Sequence, residues 1–200
     1  ISLKAHGTKQ SWAKRFTEIY PSIDWFEIIE QLCQGVIRRF SEGEPVYELN
    51  SWEEAPTPQY LIYPYLPKGH PCIIYGDGGS FKSFFALVLA QVVLYPWVDN
   101  PLGMVAPPES VKTLYLDYEF GQDDTHRRWN SLSKGFGQET SILWYRRCSV
   151  PLKDEIAQVI AHIHKVGAGM VIIDALDGSA GGELKETVAA QEFYAALRRL

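Results

Sequence analysis

Apolar and polar residues alternate in blocks along the chain, and from Pro71 onward the blocks follow the order strand, helix, strand, helix. Each short apolar run suits a buried strand, and each longer stretch after it has helical spacing. The predicted strands are 72–75, 112–117, 142–145 and 170–173, and the predicted helices are 82–94, 123–134, 153–166 and 186–200. This alternation predicts an α/β fold with a parallel sheet covered on both faces.

The N-terminal quarter of the chain has a different pattern, and residues 1–50 are predicted to form a small helical segment. Ser22 is the candidate N-cap of a helix that Gly43 ends. The apolar positions of this helix are Phe26, Ile29, Cys33, Val36, Ile37 and Phe40. Residues 51–70, rich in proline and tyrosine, are interpreted as a connector lying on a core domain that spans residues 71–200.

Composition narrows the class of protein only modestly. A chain of 200 residues that is 46% hydrophobic suits one domain with a small appendage. The net charge of −5 gives no overall basic signature for nucleic acid, so DNA binding would need a local basic patch. No signal peptide is evident in the sequence, and its longest apolar run is too short for a membrane span. Because the chain begins at Ile1 and not at Met, it is predicted to be a fragment.

Cysteine usage favours a reducing, cytoplasmic location. Cys33, Cys72 and Cys148 lie far apart, are odd in number and show no metal-binding or disulfide spacing. Each has apolar neighbours, so we interpret them as small core residues.

The segment after the first predicted strand is typical of a phosphate-binding loop. It reads Gly76-Asp77-Gly78-Gly79-Ser80-Phe81-Lys82-Ser83 and leads directly into a predicted helix. Glycines let the backbone wrap closely around phosphates, and the free N–H groups of the helix hold their oxygens. Lys82 would reach the β- and γ-phosphates of ATP, and the hydroxyl of Ser83 would bind Mg²⁺. Phe81 stands where the pattern has a second glycine, and the alternative is a strand–turn–helix junction with an incidental lysine.

Acidic residues follow two of the later predicted strands. Asp174 ends an apolar strand and is a candidate Mg²⁺ carboxylate of the Walker B type. Asp117 and Glu119 end another strand, and either could orient and deprotonate an attacking water. The structural alternative for each acid is a helix cap or a solvated strand end.

The region from about residue 60 to residue 200 resembles the RecA-like P-loop ATPases, in particular the plasmid-type hexameric replicative helicases of the RepA-like AAA branch. The resemblance rests on the connector at 60–63, the loop Gly-Ser-Phe-Lys-Ser, the segment 114–119 followed by Arg127-Arg128-Trp129, and the strand ending at Asp174. The loop at 181–186 departs from the family pattern. The resemblance also places a sensor strand and DNA-contacting loops after Leu200, so the α/β core is expected to be C-terminally truncated.

Roles follow from this resemblance for individual residues. It implies that Lys82 and Ser83 contact the phosphates and Mg²⁺, that Glu119 is the catalytic base, and that Asp174 is the Walker B acid. It also implies a homo-oligomeric ring, hexameric in the helicases, with ATP and DNA as partners. The leading hypothesis is therefore an ATPase acting in replication, recombination or mobile-element biology. The alternatives are a P-loop small-molecule or nucleotide kinase, and a non-catalytic ATP-dependent switch or scaffold.

Overall fold

The computed structural model describes residues 3–43, 45–48, 54, 57–100, 102–138, 140–182 and 187–200. The described residues fall into two compact units, Ile1–Ala55 and Pro56–Leu200. Two features predicted from the sequence lie partly outside the described residues. These are the first part of the connector (51–53, 55 and 56) and residues 183–186, which include the predicted start of the last helix.

The first unit is built from two helices, α1 (His6–Ile19) and α2 (Trp25–Glu42). The carboxylate of Asp24 accepts the backbone N–H of Glu27 at 3.0 Å and caps α2. The predicted cap at Ser22 is therefore wrong, because Asp24 directly precedes the first helical turn. The predicted end is confirmed, since Gly43 follows α2 with a left-handed φ of 65°.

The interior of the first unit is small. Ala13 of α1 and Cys33 of α2 are buried, and Lys9 Nζ lies 2.8 Å from Glu30 Oε2 across the helix pair. Two of the apolar positions predicted along α2, Val36 and Phe40, are exposed. Fewer residues of α2 are thus buried than its apolar positions predict.

The second unit contains a hairpin and a three-stranded parallel sheet. The hairpin pairs β1 (Tyr60–Ile62) with β2 (Leu66–Pro67), within the predicted connector, and Ile62 is fully buried in the core. The sheet has the order β4-β3-β5, formed by β3 (Lys112–Asp117), β4 (Trp144–Arg147) and β5 (Ala168–Asp174). The helices are α3 (Lys82–Leu94), α4 (Gln122–Gly135), α5 (Leu152–Val166), α6 (Leu176–Ala180) and α7 (Thr187–Leu197).

Helices cover both faces of the sheet, which confirms the predicted α/β layering. Along β3 the side chains alternate between the two faces. Tyr115 joins the hydrophobic cluster that contains α3 and α4. Leu114 and Leu116 join the opposite cluster, which contains α5, α6 and α7.

The predicted strand at 72–75 is wrong. These residues are not in a strand, and all of them are exposed, with Tyr75 at 90%. A strand persists only when a neighbour completes its hydrogen-bond ladder. The sheet pairings found among the described strands do not include this segment. An apolar run was therefore insufficient evidence for a strand.

The other elements agree with the prediction to different extents. α3 and β3 have the predicted bounds, whereas β4 begins two residues later than predicted, at Trp144. The short helix α6 was missed, since it lies between the predicted strand at 170–173 and the predicted helix at 186–200. Among the helices of the described ranges, none has both the length and the apolar character needed to cross a membrane.

Candidate functional site

The direction of α3 relative to the sheet is set by a hydrogen bond at its C-terminal end. The backbone N–H of Val111, just before β3, donates to the carbonyl of Val93 at 2.8 Å, which ties the C-terminal end of α3 to the start of β3. The 13 residues of α3 span roughly 20 Å, as do the six residues of β3. Because α3 packs along the sheet, its N-terminal end, with Lys82, points toward the edge where β3 and β5 end.

The loop is folded around the Lys82 ammonium. Lys82 Nζ donates to the carbonyl oxygens of Gly76 at 2.9 Å and Asp77 at 2.7 Å. The backbone N–H of Ser80 donates to the Asp77 carbonyl at 3.2 Å and closes a turn. A Cβ atom at Gly76 would lie only 2.9 Å from Ser80 Oγ, so a larger residue there would displace the serine. The loop is thus a tight, glycine-dependent turn with a cation at its centre.

Phe81 has a backbone conformation that favours glycine. Its φ of 60° and ψ of 23° are left-handed, the region that glycine enters most easily. It is the one non-glycine residue of positive φ within the described ranges. The residue is 76% exposed. Although phenylalanine stands where the pattern has glycine, the backbone at this position is therefore still left-handed.

The start of α3 can receive an anion. No side chain caps this helix end, so its first N–H groups are not bonded by the cap residue. Free amides and the positive end of the helix dipole favour phosphate oxygens. Lys82 and Ser83 are the first two residues of α3 and add a cation and a hydroxyl to these amides.

Asp117 is only 1% exposed and organises the turn after β3. Its carboxylate accepts three consecutive backbone N–H groups, from Glu119 and Phe120 at 2.9 Å and from Gly121 at 2.7 Å. Tyr145 Oη donates at 2.8 Å, and Arg147 Nη1 lies 3.0 Å away. Both carboxylate oxygens are therefore engaged in holding the turn.

The same contacts set the charge of Asp117. Burial alone raises the pKa of this carboxyl group, but hydrogen bonds from the Glu119, Phe120 and Gly121 amides and the Tyr145 hydroxyl outweigh burial and lower the pKa below its ordinary value. Asp117 is thus held ionised inside the fold.

Glu119 differs from Asp117 in its surroundings. Its residue is exposed, and within the described part of the chain its carboxylate makes no hydrogen bond. The neighbouring Phe120 ring lies 4.2 Å from the Arg128 guanidinium, which anchors the far side of the turn. Glu119 therefore stands on an ordered turn with its carboxylate uncommitted.

Asp174 ends β5 directly beside Asp117, its partner in the strand register. It is half-buried, and its Oδ2 accepts the hydroxyl of Tyr115. Burial and the bond to Asp174 raise the pKa of Tyr115 far above its ordinary value, so its hydroxyl stays a donor. Tyr145 has a raised pKa for the same kinds of reason, burial and its bond to Asp117.

Sequence reasoning missed the tyrosines. Tyr115 lies two residues before Asp117 on a strand, so a shared face could have been inferred. Its actual partner, Asp174, lies on another strand and could be found only from the register.

The candidate ligands fit Mg²⁺ in their chemistry. Among the described residues, no group of three histidine, cysteine or acidic side chains could hold a metal. Ser83 and Asp174 offer hard oxygen donors, and Mg²⁺ commonly takes one or two protein oxygens together with water and substrate phosphates. The donor set suits a cation that arrives with a nucleotide better than a permanently bound metal.

A helix that begins with Lys-Ser after a glycine loop, packed on a parallel sheet with helices on both faces, is typical of the P-loop class of nucleotide-binding folds. The comparison with protein families agrees, because the model described as an AAA domain matches residues 42–200. The chain belongs to this AAA domain family, whose members are P-loop ATPases. A search of curated proteins gives no match.

Proposed function

We propose that this chain binds ATP–Mg²⁺ at residues 76–83 and hydrolyses ATP as a RecA-like motor domain of the RepA-like branch. The observation that carries this proposal is the loop itself. Lys82 lies at the start of α3, bonded to the carbonyls of its own loop, and Phe81 has a left-handed backbone at the position where the loop pattern has a glycine. Membership of the AAA domain family supports a nucleotide as the ligand.

Phosphate binding would exchange one set of Lys82 contacts for another. In the described loop its ammonium is bonded to the carbonyls of Gly76 and Asp77. A phosphate oxygen is a stronger partner for an ammonium, because both groups are charged. The backbone N–H groups of the loop would hold the remaining oxygens. Ser83 and Asp174 would hold Mg²⁺, which neutralises charge on the phosphates.

We assign the role of general base to Glu119. A base must reach the attacking water and have a free acceptor oxygen. The Asp117 carboxylate is buried and committed to its turn, whereas the Glu119 carboxylate is exposed at the same strand end. Glu119 would orient and deprotonate the water that attacks the γ-phosphate.

The wider role follows from the resemblance to replicative helicases. We propose a homo-oligomeric ring, of six copies as in those helicases, that acts on DNA in replication, recombination or mobile-element biology. Cys33 and Cys148 are buried, whereas Cys72 is exposed, so the interpretation of Cys72 as a core residue is wrong. All three are free thiols, which supports a cytoplasmic location.

Phosphate release from the intact protein tests the proposal. We expect ATP–Mg²⁺ turnover that single-stranded DNA stimulates and that falls about a hundredfold or more in Glu119→Gln, the usual scale of general-base assistance. ATP binding should survive in this variant. Transfer of phosphate to a screened acceptor, without release to water, would replace the motor by a kinase. Tight binding without turnover would leave an ATP-dependent switch.

A further inference from the structure

Two tyrosines on neighbouring strands contact two aspartates in the same diagonal pattern. Tyr145 of β4 and Tyr115 of β3 are partners in the strand register. Tyr145 donates to Asp117 on β3, and Tyr115 donates to Asp174 on β5. Each hydroxyl thus crosses to the next strand and reaches the aspartate at its carboxyl end.

The two rings fix one another. Their centroids are 6.4 Å apart, and the ring planes differ by 14°, which is a stacked arrangement. Tyr115 is 1% exposed and lies in the core cluster with α3 and α4. A ring packed in this way has little freedom, so the position of its hydroxyl is set by the fold.

The two aspartates differ in how much they depend on their tyrosine. Asp117 has backbone amides and Arg147 as further partners. Asp174 is half-buried, and within the described ranges the Tyr115 hydroxyl is the hydrogen-bond donor to its carboxylate. Removing Tyr145 Oη leaves Asp117 well held, whereas removing Tyr115 Oη frees Asp174 to rotate.

We propose that Tyr115 is a positioning residue for Asp174, holding Oδ2 so that Oδ1 is presented to the Mg²⁺ of a bound nucleotide. The inference rests on the proposed function, which makes Asp174 a Mg²⁺ carboxylate. Mg²⁺ demands nearly ideal octahedral geometry, so a rotating carboxylate is a poor ligand for it. Partners that orient a ligand typically contribute tenfold to a hundredfold to metal affinity.

Tyr115→Phe tests the inference because it removes one oxygen and keeps the stacked ring. ATP affinity is measured by calorimetry at a series of Mg²⁺ concentrations and in EDTA. Mg²⁺ should increase ATP affinity in both proteins. We expect the Mg²⁺ concentration that gives half of this increase to be about tenfold higher in Tyr115→Phe than in the wild type. Affinity in EDTA should be unchanged, because the phosphate contacts of Lys82 remain.

Tyr145→Phe is the matched control. It removes the same atom from the neighbouring ring and weakens a bond to Asp117 instead. We expect its Mg²⁺ dependence to remain that of the wild type. An equal shift in both tyrosine variants would overturn the inference, since it would indicate a general effect on the core.

A double variant distinguishes positioning of Asp174 by Tyr115 from a purely structural role of Tyr115. In an Asp174→Asn background, Tyr115→Phe should cause no further change in Mg²⁺ dependence, because both changes act through the same carboxylate. Additive losses would overturn the inference. If Tyr115→Phe does not fold, 4-fluorophenylalanine at position 115 replaces it, since fluorine fills the space of the hydroxyl oxygen but cannot donate a hydrogen bond. Wild-type Mg²⁺ dependence in that protein would then contradict positioning by Tyr115, and a tenfold shift would support it.

The two proposals fail in different ways. If the wild-type protein does not bind ATP, the proposed function is wrong, and the inference about Tyr115 falls with it. If the wild type binds ATP in a Mg²⁺-dependent manner and Tyr115→Phe shows the same dependence, only the role of Tyr115 is wrong.

Discussion

The backbone N–H of Glu119 donates a hydrogen bond of 2.9 Å to Oδ1 of Asp117, so one acid holds the turn that presents the other. Asp117 is the last residue of β3 and Glu119 lies two residues later in the turn, yet both are acids that the sequence pattern does not distinguish. The structure distinguishes them by burial and by hydrogen bonding, because Asp117 is 1% exposed and Glu119 is exposed. Their replacement should therefore affect different properties of the protein.

Asp117→Asn should destabilise the fold. An amide is neutral and brings two N–H donors to a place where three backbone N–H groups and Arg147 already donate. We expect the free energy of unfolding to fall by about 2–4 kcal/mol, the scale of losing hydrogen bonds to a buried charge. Urea unfolding without nucleotide measures this loss. Glu119→Gln is the control and should stay within about 0.5 kcal/mol of the wild type.

The lowered pKa of Asp117 predicts a dependence of stability on pH. The ordinary value is 3.8, and the folded value lies below it, so folding favours the ionised form. The resulting stability is fully present well above pH 3.8 and is lost as the pH falls through the folded pKa. Urea unfolding between neutral pH and about pH 3 should show a steeper acid loss in the wild type than in Asp117→Asn. Equal acid slopes in the two proteins would contradict this account of Asp117.

Phe81 offers a test of backbone strain in the loop. A left-handed residue with a Cβ atom costs about 1–2 kcal/mol relative to glycine. We therefore expect Phe81→Gly to be more stable than Phe81→Ala by about 1 kcal/mol, the reverse of the usual order of these residues in helices. Thermal unfolding of the two variants compares them directly. A more stable alanine variant would show that the left-handed conformation is not kept in solution.

Much of the fold could be predicted because the pattern along several elements is strong. The bounds of α3 and β3 were predicted correctly, because a continuous apolar run marks each of them in the sequence. The segment 72–75 was predicted wrongly because a strand depends on a neighbour that local sequence does not reveal. Asp24 was overlooked as a cap because Ser22 is an equally good capping residue by type.

The candidate site was predictable in its residue types but not in its connections. The loop at 76–83 and the acids at the strand ends are visible in the sequence because each follows an apolar run. Asp117 differs from Glu119 because the turn amide of Gly121 and the Tyr145 hydroxyl of the neighbouring strand bind its carboxylate. Local sequence does not reveal these partners. Tyr115 and Asp174 are 59 positions apart in sequence, and their contact depends on the register between β3 and β5, which the sequence does not reveal.

Asp174→Asn should separate metal binding from folding. Asparagine keeps an oxygen that can accept the Tyr115 hydroxyl, so stability without nucleotide should change by less than about 1 kcal/mol. Mg²⁺-dependent ATP binding should weaken, because the charge that attracts the cation is gone. Thermal unfolding and calorimetry measure the two effects. A large loss of stability with unchanged Mg²⁺ dependence would make Asp174 a structural residue only.

Binding of ATP–Mg²⁺ to Lys82→Ala, measured by calorimetry, tests the central claim most directly. Lys82 is replaced because its ammonium occupies the centre of the loop, and Lys68→Ala is the control, since Lys68 is an exposed lysine in another turn. The account predicts that the wild type and Lys68→Ala bind alike and that Lys82→Ala binds about tenfold or more weakly, the effect of losing a charge-assisted phosphate contact. Equal affinity in all three proteins would contradict it.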